Sequence, residues 1–153
     1  MNKEALLELA DHLDNVPEDH FNHGTWGSSS NYSSCGTTAC IAGHEVWRTN
    51  PTLFARLLSD GGTSYIADLA KAQLGLQTHE CGPLFYPWGT SFGDAGYLKL
   101  VESNFDQDIR PAGAAAEYSA TPKQAAHVIR HFVETGVIDW TVAICPVNDQ
   151  STD

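Results

Sequence analysis

Two cysteines and a histidine, Cys35, Cys40 and His44, fall within a ten-residue span of "SSCGTTACIAGHEVW" at 33 to 47. The thiolate is the reactive and metal-binding form of cysteine. A helix start stabilises it, because unpaired backbone N–H groups and the helix dipole favour anions there. The same stretch reads as the start of a helix running from about Gly36 to Arg48, with Ser34 as its N-cap. Cys35 is therefore a candidate nucleophile. Such a thiol needs a histidine base, and His79, His127 and His131 are on hand, with His79 taken as the candidate. The plainer account of Cys35 is a helix-start residue with a partly buried thiol.

A metal site is the second chemistry to weigh. Cys40 and His44 stand at i and i+4, and His79 with Cys81 could complete a zinc set. His127 and His131 are also at i and i+4, with Glu134 nearby. Neither group carries the paired Cys-x-x-Cys knuckles of a zinc fold, so no metal is assigned and Cys40, His44, His127 and His131 stand only as candidates. His127 and His131 read as a solvated pair on a polar helix face. Gly36, Ala39, Cys40 and Gly43 would form a small-residue stripe on one side of the helix, where another helix can approach closely. Gly82 and Pro83 after Cys81 read as turn chemistry. "SDGGTS" lacks the lysine of a phosphate-binding loop, and no cofactor is implied.

The elements that must position these groups are helical. Leu6, Leu9, Ala10, Leu13 and Val16 share one stripe of a first helix over about 3 to 15, stopped by Pro17. "HGTWGSSSNYSS" at 23 to 34 is a surface loop, with Phe21, Trp26 and Tyr32 placed to pin it. Asn50 caps a third helix with Pro51 at its first position. A fourth follows Thr63 or Ser64, carries Ile66, Leu69, Ala70 and Leu74, and ends at Gly75. The stretch 78 to 97 reads as an ordered loop or a single helical turn held by Phe85, Tyr86, Trp88 and Phe92. The clearest helix opens at "TPKQ", a capping box formed by Thr121 and Gln124, and stops at Gly136. "VIDWTVAIC" reads as a short extended piece. The fold class is all-α: a single compact domain over 1–147, of five or six short helices with long Gly-, Ser- and aromatic-rich loops, and a frayed tail at 148–153.

The charge is lopsided, with 19 acids against 8 bases and a net −11. Nucleic-acid binding needs phosphates neutralised by Lys and Arg, and the basic residues here never form a run, so nucleic-acid and anionic-membrane partners are excluded on charge. Glu4, Glu8, Asp11, Asp14, Glu18 and Asp19 oppose a single Lys3 in the first nineteen residues. Such a face serves solubility or a basic partner. No apolar run reaches the ~20 residues that cross a bilayer, and the N-terminus has no signal-peptide pattern, so a cytoplasmic setting is expected.

Over most of its length the sequence resembles a family of small uncharacterised proteins from bacteria and their phages. The counterparts are "FNHGTW" at 21 to 26, "CGTTACIAG" at 35 to 43, "LGL" at 74 to 76, "LFYPW" at 84 to 88 and "TGVIDW" at 135 to 140. His23 stands where the family has methionine, and His44 where it has tryptophan or another apolar residue. The resemblance implies a shared fold and a phage or mobile-element setting, and no activity. "SCGTTAC" is also similar to the Cys-Gly helix start of papain-like and double-glycine-leader peptidases, which add a histidine on a following strand.

The sequence is therefore read as a protein-binding or regulatory module with a basic protein partner and with Trp26, Tyr32, Phe85, Tyr86 and Trp88 as aromatic anchors. The alternatives are a cysteine hydrolase for amides or thioesters acting through Cys35, and a helical domain with a structural zinc.

Overall fold

The computed structural model describes residues 1–22, 27, 39–85 and 120–143. They form a single compact helical domain with six α-helices: α1 (Lys3–Asp14), α2 (Ile41–Thr49), α3 (Pro51–Ser59), α4 (Tyr65–Leu74), α5 (Thr78–Phe85) and α6 (Pro122–Thr135). Two 3₁₀ turns accompany them, at Glu18–His20 and Trp140–Ala143. No β-strand occurs among the described residues.

Local chemistry accounts for most helix ends. The Asn2 side chain accepts the Ala5 N–H at 3.2 Å and starts α1, which buries Leu6, Leu9, Ala10 and Leu13. Asn50 accepts the Leu53 N–H at 3.0 Å, with Pro51 at the first position of α3, where a missing N–H costs nothing. Thr121 and Gln124 close a full capping box on α6. Gly75 ends α4 at φ +60°, and a Cβ there would lie 3.1 Å from the Asn2 nitrogen. A side chain at 75 would meet both a strained backbone and the start of α1.

Three expectations from the sequence are corrected. The helix expected from Gly36 begins at Ile41, because Ala39 is held in extended backbone. Its N–H bonds the His20 carbonyl at 3.1 Å, and its carbonyl accepts the Asn22 N–H at 3.0 Å. The described members of the proposed small-residue stripe therefore do not lie on one helix: Ala39 is in a bridge, Cys40 is the N-cap and Gly43 is helical, while Gly36 lies outside the described residues. Next, Gly82 and Pro83 lie inside α5 rather than in a turn. The Glu80 carboxylate accepts the Gln77 N–H at 2.6 Å and starts that helix against its proline. Last, residues 140–143 coil instead of extending. Asp139 accepts from both the N–H and the hydroxyl of Thr141, at 2.8 and 2.6 Å, and this side-chain turn sets the 3₁₀ path.

Two groups of helices result. α1 packs most extensively on α6, and the 140–143 turn packs on α6. α2 packs on α3 and α4, with α5 beside α4 and α2. One core runs through both groups, including Leu9, Leu13, Ile41, Ile66, Leu74, Phe85, Ile129, Phe132 and Trp140. Fully buried Trp140 donates its indole N–H to the Pro83 carbonyl at 2.9 Å, joining the two groups at one end. Gly27, from the loop read as a surface loop, rests on α3: a Cβ there would fall 2.6 Å from the end of the Phe54 ring. Phe54 is itself buried and stacked on Trp47 at a centroid distance of 6.1 Å.

Candidate functional site

Among the described residues, the polar side chains buried deepest are His44 and Glu45 of α2, at 0% and 1% exposure. Burying such groups is costly unless they are paired, so their partners are the first question. Both lie where α2 faces α1.

His44 has both ring nitrogens engaged. Its Nε2 lies 3.0 Å from the His20 carbonyl oxygen, and its Nδ1 lies 3.1 Å from Nε2 of His12 on α1. A carbonyl can only accept, so His44 Nε2 carries the proton. A neutral ring then has an unprotonated Nδ1, and His12 donates to it from Nε2. Phe21 stacks on the His44 ring at 5.8 Å, and Trp47 lies at 5.4 Å. Burial holds the His44 pKa down to about 4; the His20 carbonyl opposes this, and the neighbouring His12 and His20 rings add to it. Half-buried His12 is also held below its ordinary value, first by burial and then by Arg48.

Glu45 meets Arg48 one turn along α2, Oε2 to Nε at 2.6 Å. Arg48 then reaches across to α1, donating to Glu8 Oε2 at 3.0 Å and to the Ala5 carbonyl at 3.0 Å. Burial pushes the Glu45 carboxyl above its ordinary range, and Arg48 opposes that rise. Glu45 Oε1 is buried without a hydrogen-bond donor among the described residues, as is Gln73 Oε1 on α4.

The candidates from sequence fare as follows. Cys40 and His44 do not form a metal pair, because both nitrogens of His44 are committed to His20 and His12. Cys40 is 1% exposed and its thiol is pushed up to about 11. The N–H groups of Gly43 and Ala42 at the start of α2 pull it down, and burial outweighs them. The helix-start argument applies to Cys40, the N-cap of α2, and there desolvation wins. His79 is exposed on α5, and His127 and His131 are half-buried on α6. Among the described residues, no three His, Cys, Asp or Glu side chains converge on a common metal position. Phe85 is fully buried in the core, which corrects its assignment as a surface anchor. Cys35, Trp26, Tyr32, Tyr86 and Trp88 lie outside the described residues.

Sequence reading passed over His12, His20 and the Glu45–Arg48 pair. One signal was present: Glu45 sits between Ile41, Ala42 and Val46 on the apolar stripe of α2, with an arginine three residues on. The chain is thus an all-α domain whose deepest polar residues join helices to one another. Comparison with protein-family models, curated proteins and solved structures gives no match.

Proposed function

We propose that this chain is an acidic protein-binding module that regulates a basic protein partner in the cytoplasm, in the phage or mobile-element setting that its resemblance suggests. One observation carries the reading: the three arginines among the described residues each lie beside a carboxylate. Arg48 is spent on Glu8 and Glu45, Arg130 on Asp11 and Asp14, and Arg56 lies 4.0 Å from Asp60. The chain carries a net charge of −11, and among the described residues Glu4, Glu18 and Asp19 are exposed. Such a field attracts basic surfaces and repels acidic ones. No helix among the described residues is long and apolar enough to cross a membrane.

The test is capture from lysate at low and high salt, in parallel with a variant carrying Glu4→Gln, Glu18→Gln and Asp19→Asn. The module reading expects a basic protein that is retained at low salt, is released at high salt and is lost with the variant. Recovery of no partner at either salt overturns it. Labelling with iodoacetamide separates this reading from a thiol hydrolase. Selective modification of Cys35 below pH 7 supports the hydrolase, and reaction only near an ordinary thiol pKa of ~8.5 removes its basis.

A further inference from the structure

We infer that the His12–His44 hydrogen bond is an acid-released latch between the α1–α6 pair and the α2–α5 group. The donor and acceptor assignment carries the inference. His20 O can only accept, which fixes the proton on His44 Nε2 and makes His44 Nδ1 the acceptor for His12 Nε2–H. One proton lies between the rings. A first added proton can go to the outer Nδ1 of His12 and leave the bond intact. A second must go to His44 Nδ1, where it would face the His12 N–H at 3.1 Å. That replaces a hydrogen bond with two donors and two like charges in a site from which water is excluded, and the rings must part.

Among the described residues, nothing compensates a His44 cation. Phe21 and Trp47 lie against its ring. Of the described groups, Arg48 on α2 acts on His12, and the His20 ring, itself 3.8 Å from Asp19, acts on His44. Glu45 and Glu8 are taken up by Arg48. The carboxylates flanking His12 along α1, Asp11 and Asp14, are taken up by Arg130 of α6. On α4, Lys71 is turned to Thr78 of α5; on α5, Glu80 binds the Gln77 N–H; on α3, Arg56 faces Asp60. The same His20 carbonyl that holds His44 also accepts the Ala39 N–H, so the Phe21–Ala39 bridge is tied to this ring.

Long-range proton–nitrogen NMR of the imidazoles, with amide exchange across an acid titration, tests the latch. The expected result is an Nε2–H tautomer for His44 at neutral pH and no second proton until far below pH ~6.5. Protection of the Asn22 and Ala39 amides should then fall in step with that titration, while amides at the centre of α6 stay protected. An Nδ1–H tautomer, an ordinary titration with an unchanged seam, or simultaneous loss of α6 protection would overturn the proposal. In His44→Gln the unfolding constant should change on the order of 50-fold less than in the wild type between about pH 7 and about pH 4.5. Equal pH dependence of the two proteins also overturns it. His12→Gln keeps a donor for His44 Nδ1 and removes the like charge, so its seam should open at lower pH than the wild type. If His44→Gln does not fold, an unshifted midpoint in His12→Gln decides against the latch.

Discussion

Two of the contacts that α1 makes among the described residues, with α6 and with α2, are built on opposite plans. α1 buries Leu6, Leu9, Ala10 and Leu13 and packs most extensively on α6, where Arg130 holds Asp11 at 2.7 Å and Asp14 at 2.6 Å at the rim. Toward α2 it presents His12, Glu8 and the Ala5 carbonyl: His12 meets buried His44, while exposed Glu8 and the Ala5 carbonyl meet Arg48, which also holds buried Glu45. Similar ion pairs therefore occupy different dielectrics. At the α6 rim, Asp11 keeps 73% of its side-chain exposure and water screens the attraction. At the α2 seam, Glu45 keeps 1%, and among the described residues its desolvation is offset by Arg48 at one carboxylate oxygen. The comparison teaches that the α6 contact draws its stability from apolar area, whereas the α2 seam holds a geometry that depends on the protonation and pairing of each member.

Breaking one member of the seam should give the largest effect. Arg48→Ala leaves Glu45 buried without its cation and should cost about 3–5 kcal/mol in urea unfolding. Replacing both residues together, as Glu45→Leu with Arg48→Met, should cost much less, since no buried charge remains. If the single and double variants lose the same stability, the contrast between seam and rim is wrong. In the apolar core, Leu9→Ala should cost about 2–5 kcal/mol through lost transfer energy and the cavity left behind. Its loss should be insensitive to pH and salt, unlike any change at the seam.

As the pH falls from neutrality, acid should act first on the seam. His44 has a folded pKa of about 4, below the ordinary 6.5, so the unfolded chain binds more protons between those values. Stability from this group is full above pH ~6.5 and is lost as the pH falls toward ~4, by ~3 kcal/mol at 1.36 kcal/mol per unit. His12, shifted the same way, adds to the loss in the same direction. Denaturation midpoints at a series of pH values, for wild type against His44→Gln, would show this as a difference that grows below neutrality. The smallest effect belongs to the rim: Arg130→Ala should cost ~1 kcal/mol or less and shrink further with added salt. A cost comparable to that of Arg48→Ala would erase the distinction.

Much of the scaffold was legible because its instructions are local. The stripe of α1, Asn50 before Pro51, the stop at Gly75 and the Thr121–Gln124 box each act within about one helical turn, and each is found where the sequence places it. The start of α2 was not legible, because a residue distant in sequence decides it: the His20 carbonyl captures the Ala39 N–H before a helix can use it. α5 was hidden by its own punctuation, since Gly82 and Pro83 carry a turn signal that the Glu80 cap and burial of Leu84 and Phe85 override. The site was less legible still. His12 flanks an apolar stripe as any polar residue might, and nothing within α1 marks it as the partner of a ring 32 residues away.

The amino-acid order alone therefore determined the helical class, most of the caps and stops, the acidic surface and the apolar faces. All of these follow from propensities and spacings that operate over a few residues. Tertiary structure decided which polar groups lose their water. It set Cys40 in the core, where burial outweighs the helix start, and it set His44 between His20 and His12 with its proton placement fixed. The reason is physical: the charge state and tautomer of a side chain depend on the dielectric and the partners around it, and those exist only once separate elements have packed together.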